Sequence, residues 1–79
     1  MLNSNDVISA ITTVIPDAQV SVEDLTGTGD HLQVNVKSAS FKGLSLIKQH
    51  QLIYAALSRE LADESIHALA LNTSVPTEL

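Results

Sequence analysis

Cysteine is absent from the 79-residue sequence. The chain therefore forms no disulfide and cannot supply a thiolate zinc site, a cysteine nucleophile or an all-cysteine iron–sulfur site by itself. A metal bound here must use His, Asp or Glu, or share its site with a partner that brings sulfur.

Long apolar runs are also missing. No stretch approaches the roughly 18 residues of a membrane span, and the opening MLNSNDV lacks the basic and apolar regions of a secretory signal. We therefore expect no membrane association and a cytoplasmic location. The length predicts a single domain over residues 1–79 with one two-layer core.

Acidic residues are missing from residues 31–59, although the chain has nine of them and a net charge of −5. The same window holds all of the Lys and Arg residues, namely Lys37, Lys42, Lys48 and Arg59. These cations are either solvated side chains of a helix and a strand, or one basic surface facing an anionic partner. The net charge itself argues against general nucleic-acid binding.

Motifs for catalysis are not found. The segment GTGD is too short for a phosphate-binding loop and precedes a strand rather than a helix, and there is no nucleophile elbow. The paired acids Glu23–Asp24 and Asp63–Glu64 fall at the ends of predicted elements, where solvated charge explains them. We expect that the protein is not an enzyme.

Apolar periodicity predicts the order of the elements. Ser4 is the predicted N-cap of a first helix that ends before Pro16. Alternation in AQVSVEDL and HLQVNVKS predicts two antiparallel strands joined by the glycine loop TGTGD. Ser45 is the predicted cap of a long helix that runs to about Ala62. Its predicted core stripe consists of Leu46, Ile47, Ile53, Tyr54, Leu57 and Leu61. The segment IHALALNTSV predicts a third strand, and PTEL forms at most one helical turn.

The resulting order, α-β-β-α-β, predicts a two-layer α+β fold. A crossover helix makes the second and third strands parallel, so both helices cover one face of a three-stranded mixed sheet. If the third strand lies beside the second, both strands begin at the same end of the sheet. His31 and His67 then approach each other there.

The three histidines occupy different predicted environments. His50 falls inside the helical stripe, which favours a packed side chain with one ring nitrogen hydrogen-bonded. His67 shares a predicted strand face with Leu69 and Leu71, so it is either a hydrogen-bonded core residue or a ligand. His31 begins a strand beside a flexible loop and should be exposed. Two imidazoles at one sheet end form half a metal site, as in Rieske-type centres where two histidines bind one iron.

The run SFKGLSLIKQHQLIYAAL followed by IHALALNTSVPTEL resembles the BolA family, and most closely its short IbaG-like members. The family pattern is F-x-G, a histidine seven residues after the glycine and an aromatic residue four further on. Phe41, Gly43, His50 and Tyr54 match this pattern, and we expect their role to be structural. The segments I-H-A-L at 66–69 and T-x-x-P at 73–76 match later family motifs.

The resemblance implies a class II KH-like fold and a monothiol glutaredoxin as partner. The heterodimer would hold a bridging two-iron two-sulfur cluster, for which the glutaredoxin cysteine and glutathione supply thiolates and this chain supplies nitrogen. His67 matches the principal ligand of the family, and His31 in GTGDH would be the second. No cluster is expected on the protein alone, which would be a monomer or weak homodimer. The implied role is iron–sulfur cluster trafficking, iron homeostasis and stress response.

The alternative function is a DNA-binding stress regulator that uses the segment FKGLSLIKQH. Many family members carry R-H-R around the helical histidine, whereas this chain has Gln49-His50-Gln51. Loss of two guanidinium groups removes up to about two phosphate contacts, which weakens this alternative. The region from Lys37 to Arg59 is then a candidate surface for a partner.

Overall fold

The computed structural model describes residues 3–27, 31–66 and 68–76. Its elements are α1 (Ser4–Val14), β1 (Gln19–Asp24), β2 (His31–Lys37), a 3-10 helix (Ala39–Phe41), α2 (Leu46–Ala56), α3 (Ser58–Ala62) and β3 (Ala68–Ser74). The predicted α-β-β-α-β order is confirmed, with the second helix divided in two.

The sheet has the strand order β1-β2-β3. β1 pairs with β2 in the antiparallel direction, and β2 pairs with β3 in the parallel direction, as predicted. Along β2 the side chains of Leu32, Val34 and Val36 are buried, while the intervening residues alternate onto the opposite face. The sheet therefore has one apolar face and one open, polar face, which is the arrangement that period-2 alternation indicates.

The core lies between the apolar face of the sheet and the helices, since α1 packs on β1, α2 packs on β3, and the two helices contact each other. Its buried apolar residues are Val7, Ile11, Ile15, Leu32, Val34, Val36, Phe41, Ile53, Leu57 and Ile66. None of the helices in the described ranges is both long enough and apolar enough to cross a bilayer.

The N-cap of α1 is Asn3, so the predicted cap at Ser4 is wrong by one residue. The Asn3 side chain accepts a hydrogen bond from the Asp6 N–H at 3.0 Å, and the Asp6 carboxylate accepts one from the Asn3 N–H at 3.3 Å. Because both bonds form only with Asn3 outside the helix, this capping box fixes where the helix starts. The predicted cap at Ser45 is confirmed by its bond from the Lys48 N–H at 3.2 Å.

The predicted single helix to Ala62 is interrupted at Leu57, whose backbone has φ −105° and ψ 16°. Neither glycine nor proline occurs at this break, and the Leu57 side chain is fully buried. The Leu57 N–H donates to the Ile53 carbonyl and the Leu57 carbonyl accepts from the Leu61 N–H, both at 3.0 Å, so the interruption is confined to one residue.

The predicted core stripe of the second helix is only partly correct. Ile53 and Leu57 are fully buried, but Leu46, Ile47 and Tyr54 are 59%, 71% and 43% exposed. Ile47 and Tyr54 point roughly 100–120° away from Ile53 around the helix axis, and Leu46 lies in the first turn. The buried part of the helix surface is thus narrower than the distribution of its apolar residues predicts.

Candidate functional site

The strands β2 and β3 start at the same end of the sheet. His31, the first residue of β2, lies opposite Ala68, the first residue of β3. Neighbouring strands are about 4.8 Å apart, so the two backbones are in direct contact at this point. The His31 side chain is half-buried on the polar side of the β2 alternation. The condition for the predicted approach of the two histidines, parallel pairing of adjacent strands, is therefore met.

His67, the principal ligand that the family resemblance implies, lies outside the described residues. In the sequence it directly precedes Ala68, the residue opposite His31. The loop residues 28–30 and the terminal residues 77–79, which carry the predicted GTGDH loop and the last helical turn, also fall outside the described ranges.

Hydrogen bonds around the β1–β2 loop fix the backbone of His31. The Asp24 carboxylate accepts bonds from the Gly27 N–H at 2.9 Å and the Thr26 N–H at 3.3 Å. Gly27 has φ +78°, a left-handed conformation that glycine adopts without strain. The Leu25 N–H donates to the His31 carbonyl at 2.9 Å. These bonds hold His31 at the hairpin end of β2.

A second tight turn leads into β3. The Asp63 carboxylate accepts bonds from the Ser65 hydroxyl at 2.6 Å and the Ser65 N–H at 2.9 Å. These bonds, the hydroxyl first, hold the pKa of Asp63 below its ordinary value. Glu64 has φ +63°, the left-handed region that non-glycine residues rarely occupy. The turn therefore determines the path of the chain towards β3.

The chain between this turn and β3 is anchored in the core. The Ile66 N–H donates to the Glu60 carbonyl at 3.1 Å, and the Ile66 side chain is 2% exposed. One carboxylate oxygen of Glu60, Oε2, is buried and has no hydrogen-bond partner in the structure of the described residues. A buried carboxylate oxygen is costly to leave in this state, and no sequence pattern signals it.

The described residues contain too few neighbouring donors for a complete metal site. Within residues 3–27, 31–66 and 68–76 no group of three His, Cys, Asp or Glu side chains is placed to hold a metal ion. The imidazole of His31 is a suitable iron ligand, and the sequence has no thiolate to add to it. The described residues thus offer imidazole nitrogen and no sulfur, so a cluster bound there would take its thiolates from another protein.

The residues of the F-x-G-x6-H motif have different environments. Phe41 is fully buried, and Gly43 has φ +83°, a left-handed conformation in the turn before α2. His50 is half-buried. No hydrogen bond joins its ring to the described residues, so the hydrogen-bonded nitrogen predicted for it is not found there. Tyr54 is 43% exposed and lies outside the core.

The four predicted cations are all exposed, but they belong to two layers. Lys37 ends β2 on the open face of the sheet, beside Gln19, Asn35 and Ser74 in a shallow groove of about 420 Å³. The others belong to the helical layer, namely Lys42 after the 3-10 helix, Lys48 in the first turn of α2 and Arg59 in α3.

Two polar residues hold the fold together and have no signal in the sequence. The Gln49 amide accepts a hydrogen bond from the Thr73 hydroxyl at 2.7 Å and donates one to the Leu44 carbonyl at 3.0 Å. Asp17 accepts bonds from the Ser38 hydroxyl, the Ser40 hydroxyl and the Ala39 N–H at 2.7, 3.0 and 2.9 Å. The Ser38 hydroxyl is the largest cause that lowers the pKa of Asp17.

A family model described as "BolA-like protein" matches residues 11–78. Among named relatives, the uncharacterized protein RP812 of Rickettsia prowazekii is 39% identical over 62 residues, which cover 77% of this chain and 79% of that protein. The acid stress protein IbaG of Escherichia coli K12 is 30% identical over 77 residues, which cover 98% of this chain and 88% of that protein.

The fold is likewise similar to solved structures. BolA1 from Arabidopsis thaliana superposes with a TM-score of 0.84 at 26% identity, over 100% of this chain and 99% of that chain. The matched family description and the names of these proteins are not those of an enzyme family.

Proposed function

Because this chain belongs to the BolA-like protein family, we propose that it is an accessory protein that binds a monothiol glutaredoxin and shares a bridging two-iron two-sulfur cluster with it. The glutaredoxin cysteine and glutathione supply the thiolates, and His67 and His31 supply the nitrogen ligands. The protein acts in iron–sulfur cluster trafficking and iron homeostasis in the cytoplasm, without catalysis of its own. The similarity to acid stress protein IbaG supports a role in stress.

The observation that carries this proposal is the pairing of His31 with Ala68. β2 begins at His31 and β3 begins at Ala68, so both strands start at the same end of the sheet, and His67 directly precedes Ala68 in the sequence. Two imidazole ligands on one iron have precedent in Rieske-type centres. A ligating imidazole must be neutral, so cluster binding should weaken towards acid pH.

The absence of cysteine thiolates supports a cluster shared with a partner over a cluster bound by this chain alone. Iron–sulfur clusters are held mainly by cysteine, and this sequence has none. A nitrogen-only contribution at one sheet end leaves the remaining positions of the cluster for a partner that brings sulfur. Of the exposed cations of the helical layer, Arg59 in α3 precedes the turn that leads into β3 and offers a contact for that partner. Lys42 and Lys48 flank the start of α2, which is bonded near the other end of β3 through Gln49 and Thr73.

Nucleic-acid binding, the alternative function, has less support. Gln49, which replaces one arginine of the family's R-H-R pattern, has its amide oxygen and nitrogen bonded to Thr73 and Leu44. Its amide is therefore engaged inside the fold and not directed to a phosphate. Lys42 and Lys48 remain as exposed cations near the start of α2, too few for strong phosphate neutralisation.

The cluster proposal is tested by reconstitution without oxygen. The protein is mixed with a monothiol glutaredoxin, glutathione, ferrous iron and sulfide, and the visible absorption and circular dichroism are compared with those of glutaredoxin alone. We expect a different spectrum for the mixture, lost with His67→Ala and reduced with His31→Ala.

The matched control is His50→Ala, which removes the third histidine from the half-buried face of α2. It should keep the spectrum of the mixture, provided that thermal unfolding shows the variant to be folded. A mixture spectrum identical to that of glutaredoxin alone would refute the shared cluster. Equal loss with all three variants would refute the assignment of His31 and His67.

A further inference from the structure

The sheet has two edges, and they differ in their protection. β1 ends in the acidic pair Glu23 and Asp24, and charges on an edge strand discourage pairing with another chain. β3, the opposite edge, runs from Ala68 to Ser74 without a charged residue or a proline. Natural proteins rarely leave a straight, uncharged edge strand of this kind without a partner.

The backbone groups that face this free edge can be identified. The Ser74 carbonyl accepts a bond from the Ser38 N–H at 3.0 Å, so the Ser74 backbone points towards β2. Backbone direction alternates along a strand, which turns the N–H and C=O groups of Leu69, Leu71 and Thr73 away from β2. In the described part of the chain no strand lies along this edge.

We propose that β3 pairs with β3 of a second copy of this chain, antiparallel, so that two sheets join into one of six strands. With the two-fold axis at Leu71, each Leu69 lies opposite Thr73 of the other copy. Three residues per copy contribute one donor and one acceptor each, so the pairing forms up to about six hydrogen bonds. Leu69 and Leu71, only half-buried in the single chain, gain cover on the helical side.

Charge favours the antiparallel direction. The chain enters β3 from an acidic segment that contains Glu60, Asp63 and Glu64. The far end of β3 is less acidic, because Lys37 pairs with Ser74 and offsets the Asp17 carboxylate bonded to Ser38. An antiparallel pair keeps the acidic ends of the two copies apart, whereas a parallel pair would place them together.

The open face of the sheet is poorly suited to packing against a second copy. The side chains that line it include Gln19, Ser21, Asn35, Lys37 and Asn72, which are polar. Face-to-face sheet packing needs apolar side chains that interdigitate. Association through the β3 edge leaves this polar face in water. One strand per copy is a small interface, so the dimer belongs to the weak, transient class.

The first test is sedimentation equilibrium of the full chain from low micromolar to millimolar concentration, at low and high salt. We expect a monomer–dimer equilibrium at both salt concentrations, because backbone hydrogen bonds are the main contacts of this pairing. A monomer at every concentration and at both salt levels would overturn the proposal. This outcome is independent of the cluster, since the measurement contains neither iron nor glutaredoxin.

Two double variants test the register. In this pairing Ala70 lies opposite Asn72 of the other copy, and both side chains are exposed on the open face. A70K with N72K sets like charges opposite each other in both pairs and should abolish the dimer, although it lowers the net negative charge. The matched A70K with N72E sets opposite charges there and should keep it. Equal behaviour of the two folded variants would overturn the register.

Amide hydrogen exchange gives a residue-level check. Dimerisation should slow exchange at the N–H groups of Leu69, Leu71 and Thr73 as the concentration rises, with at least a several-fold change. The N–H groups of Ala70 and Asn72 already point towards β2 and should not change. If exchange at Leu69, Leu71 and Thr73 becomes slow only after another protein is added, the β3 edge binds that protein and the dimer proposal is wrong.

Discussion

The hydroxyl of Thr73 in β3 donates a hydrogen bond to the amide oxygen of Gln49 in α2 at 2.7 Å. The same amide donates to the Leu44 carbonyl at 3.0 Å, so Gln49 links the third strand, the second helix and the turn before it. A single side chain thus fixes the position of α2 over the edge of the sheet.

We expect that Thr73→Val and Gln49→Ala each lower the free energy of unfolding by about 1 kcal/mol, the usual net value of a partly buried hydrogen bond. The double variant should lose less than the sum, because both changes remove the same bond. Urea unfolding of the four proteins measures this coupling. Ser74→Ala, which removes an exposed hydroxyl from the same strand, serves as the control, and strictly additive losses would contradict the link.

Asp17 makes the fold sensitive to acid. Hydrogen bonds, chiefly from the Ser38 hydroxyl, lower the pKa of Asp17. A lowered pKa in the folded state adds stability above the unfolded value of about 3.9, and this stability is lost as the pH falls through the folded value. Asp17→Asn should therefore be less stable than the native chain at neutral pH, and the difference should shrink below about pH 4.

The control for this effect is Ser38→Ala, which keeps the carboxylate and removes its strongest hydrogen bond. The pH dependence of its unfolding midpoint should be flatter than that of the native chain between neutral and acid pH. If the difference between Asp17→Asn and the native chain is constant from pH 7 to pH 3, the lowered pKa is not the source of the stability.

Two isoleucines on α2 test how much of the surface of this helix is buried against the core. Ile53 is fully buried and Ile47 is 71% exposed. Ile53→Ala should cost about 2–5 kcal/mol through lost contacts and a cavity, whereas Ile47→Ala should stay within about 0.5 kcal/mol. Chemical denaturation measures both. Similar losses in the free energy of unfolding for the two variants would support the broader buried stripe that the sequence pattern predicts.

The start of α1 provides an adjacent pair of variants. Asn3→Ala removes the cap that accepts from the Asp6 N–H and should cost about 1 kcal/mol. Ser4→Ala, one residue later, changes a residue inside the first turn and should be close to neutral. Thermal unfolding compares the stability of the two variants directly. A larger loss of stability for Ser4→Ala than for Asn3→Ala would show that Ser4 is the N-cap.

The strands could be predicted from the sequence because each has one buried face. Alternation in β2 places Leu32, Val34 and Val36 inward, and the crossover helix requires β3 to be parallel to its neighbour. These are local patterns with a period fixed by backbone geometry. The same alternation predicts that His31 starts a strand beside the glycine loop.

The rest depended on contacts between residues far apart in the sequence. Asp17 bonds to Ser38, and Gln49 bonds to Thr73, yet neither pair leaves a periodic signal. The apolar pattern predicts more buried helix residues than the structure has, because apolar character alone does not tell which side of a helix meets the sheet. Tyr54 is the clearest case, since it is 43% exposed despite its place in the apolar pattern.

The central claim, nitrogen ligation by this chain, is tested most directly by labelling its histidines alone with ¹⁵N. The cluster formed with unlabelled glutaredoxin and glutathione is reduced, and nitrogen couplings to its electron spin are recorded by pulsed paramagnetic resonance. We predict ¹⁵N couplings from bound imidazole that disappear with His67→Ala and persist with His50→Ala. Spectra that are the same for labelled and unlabelled chain would contradict histidine ligation and, with it, the proposed function.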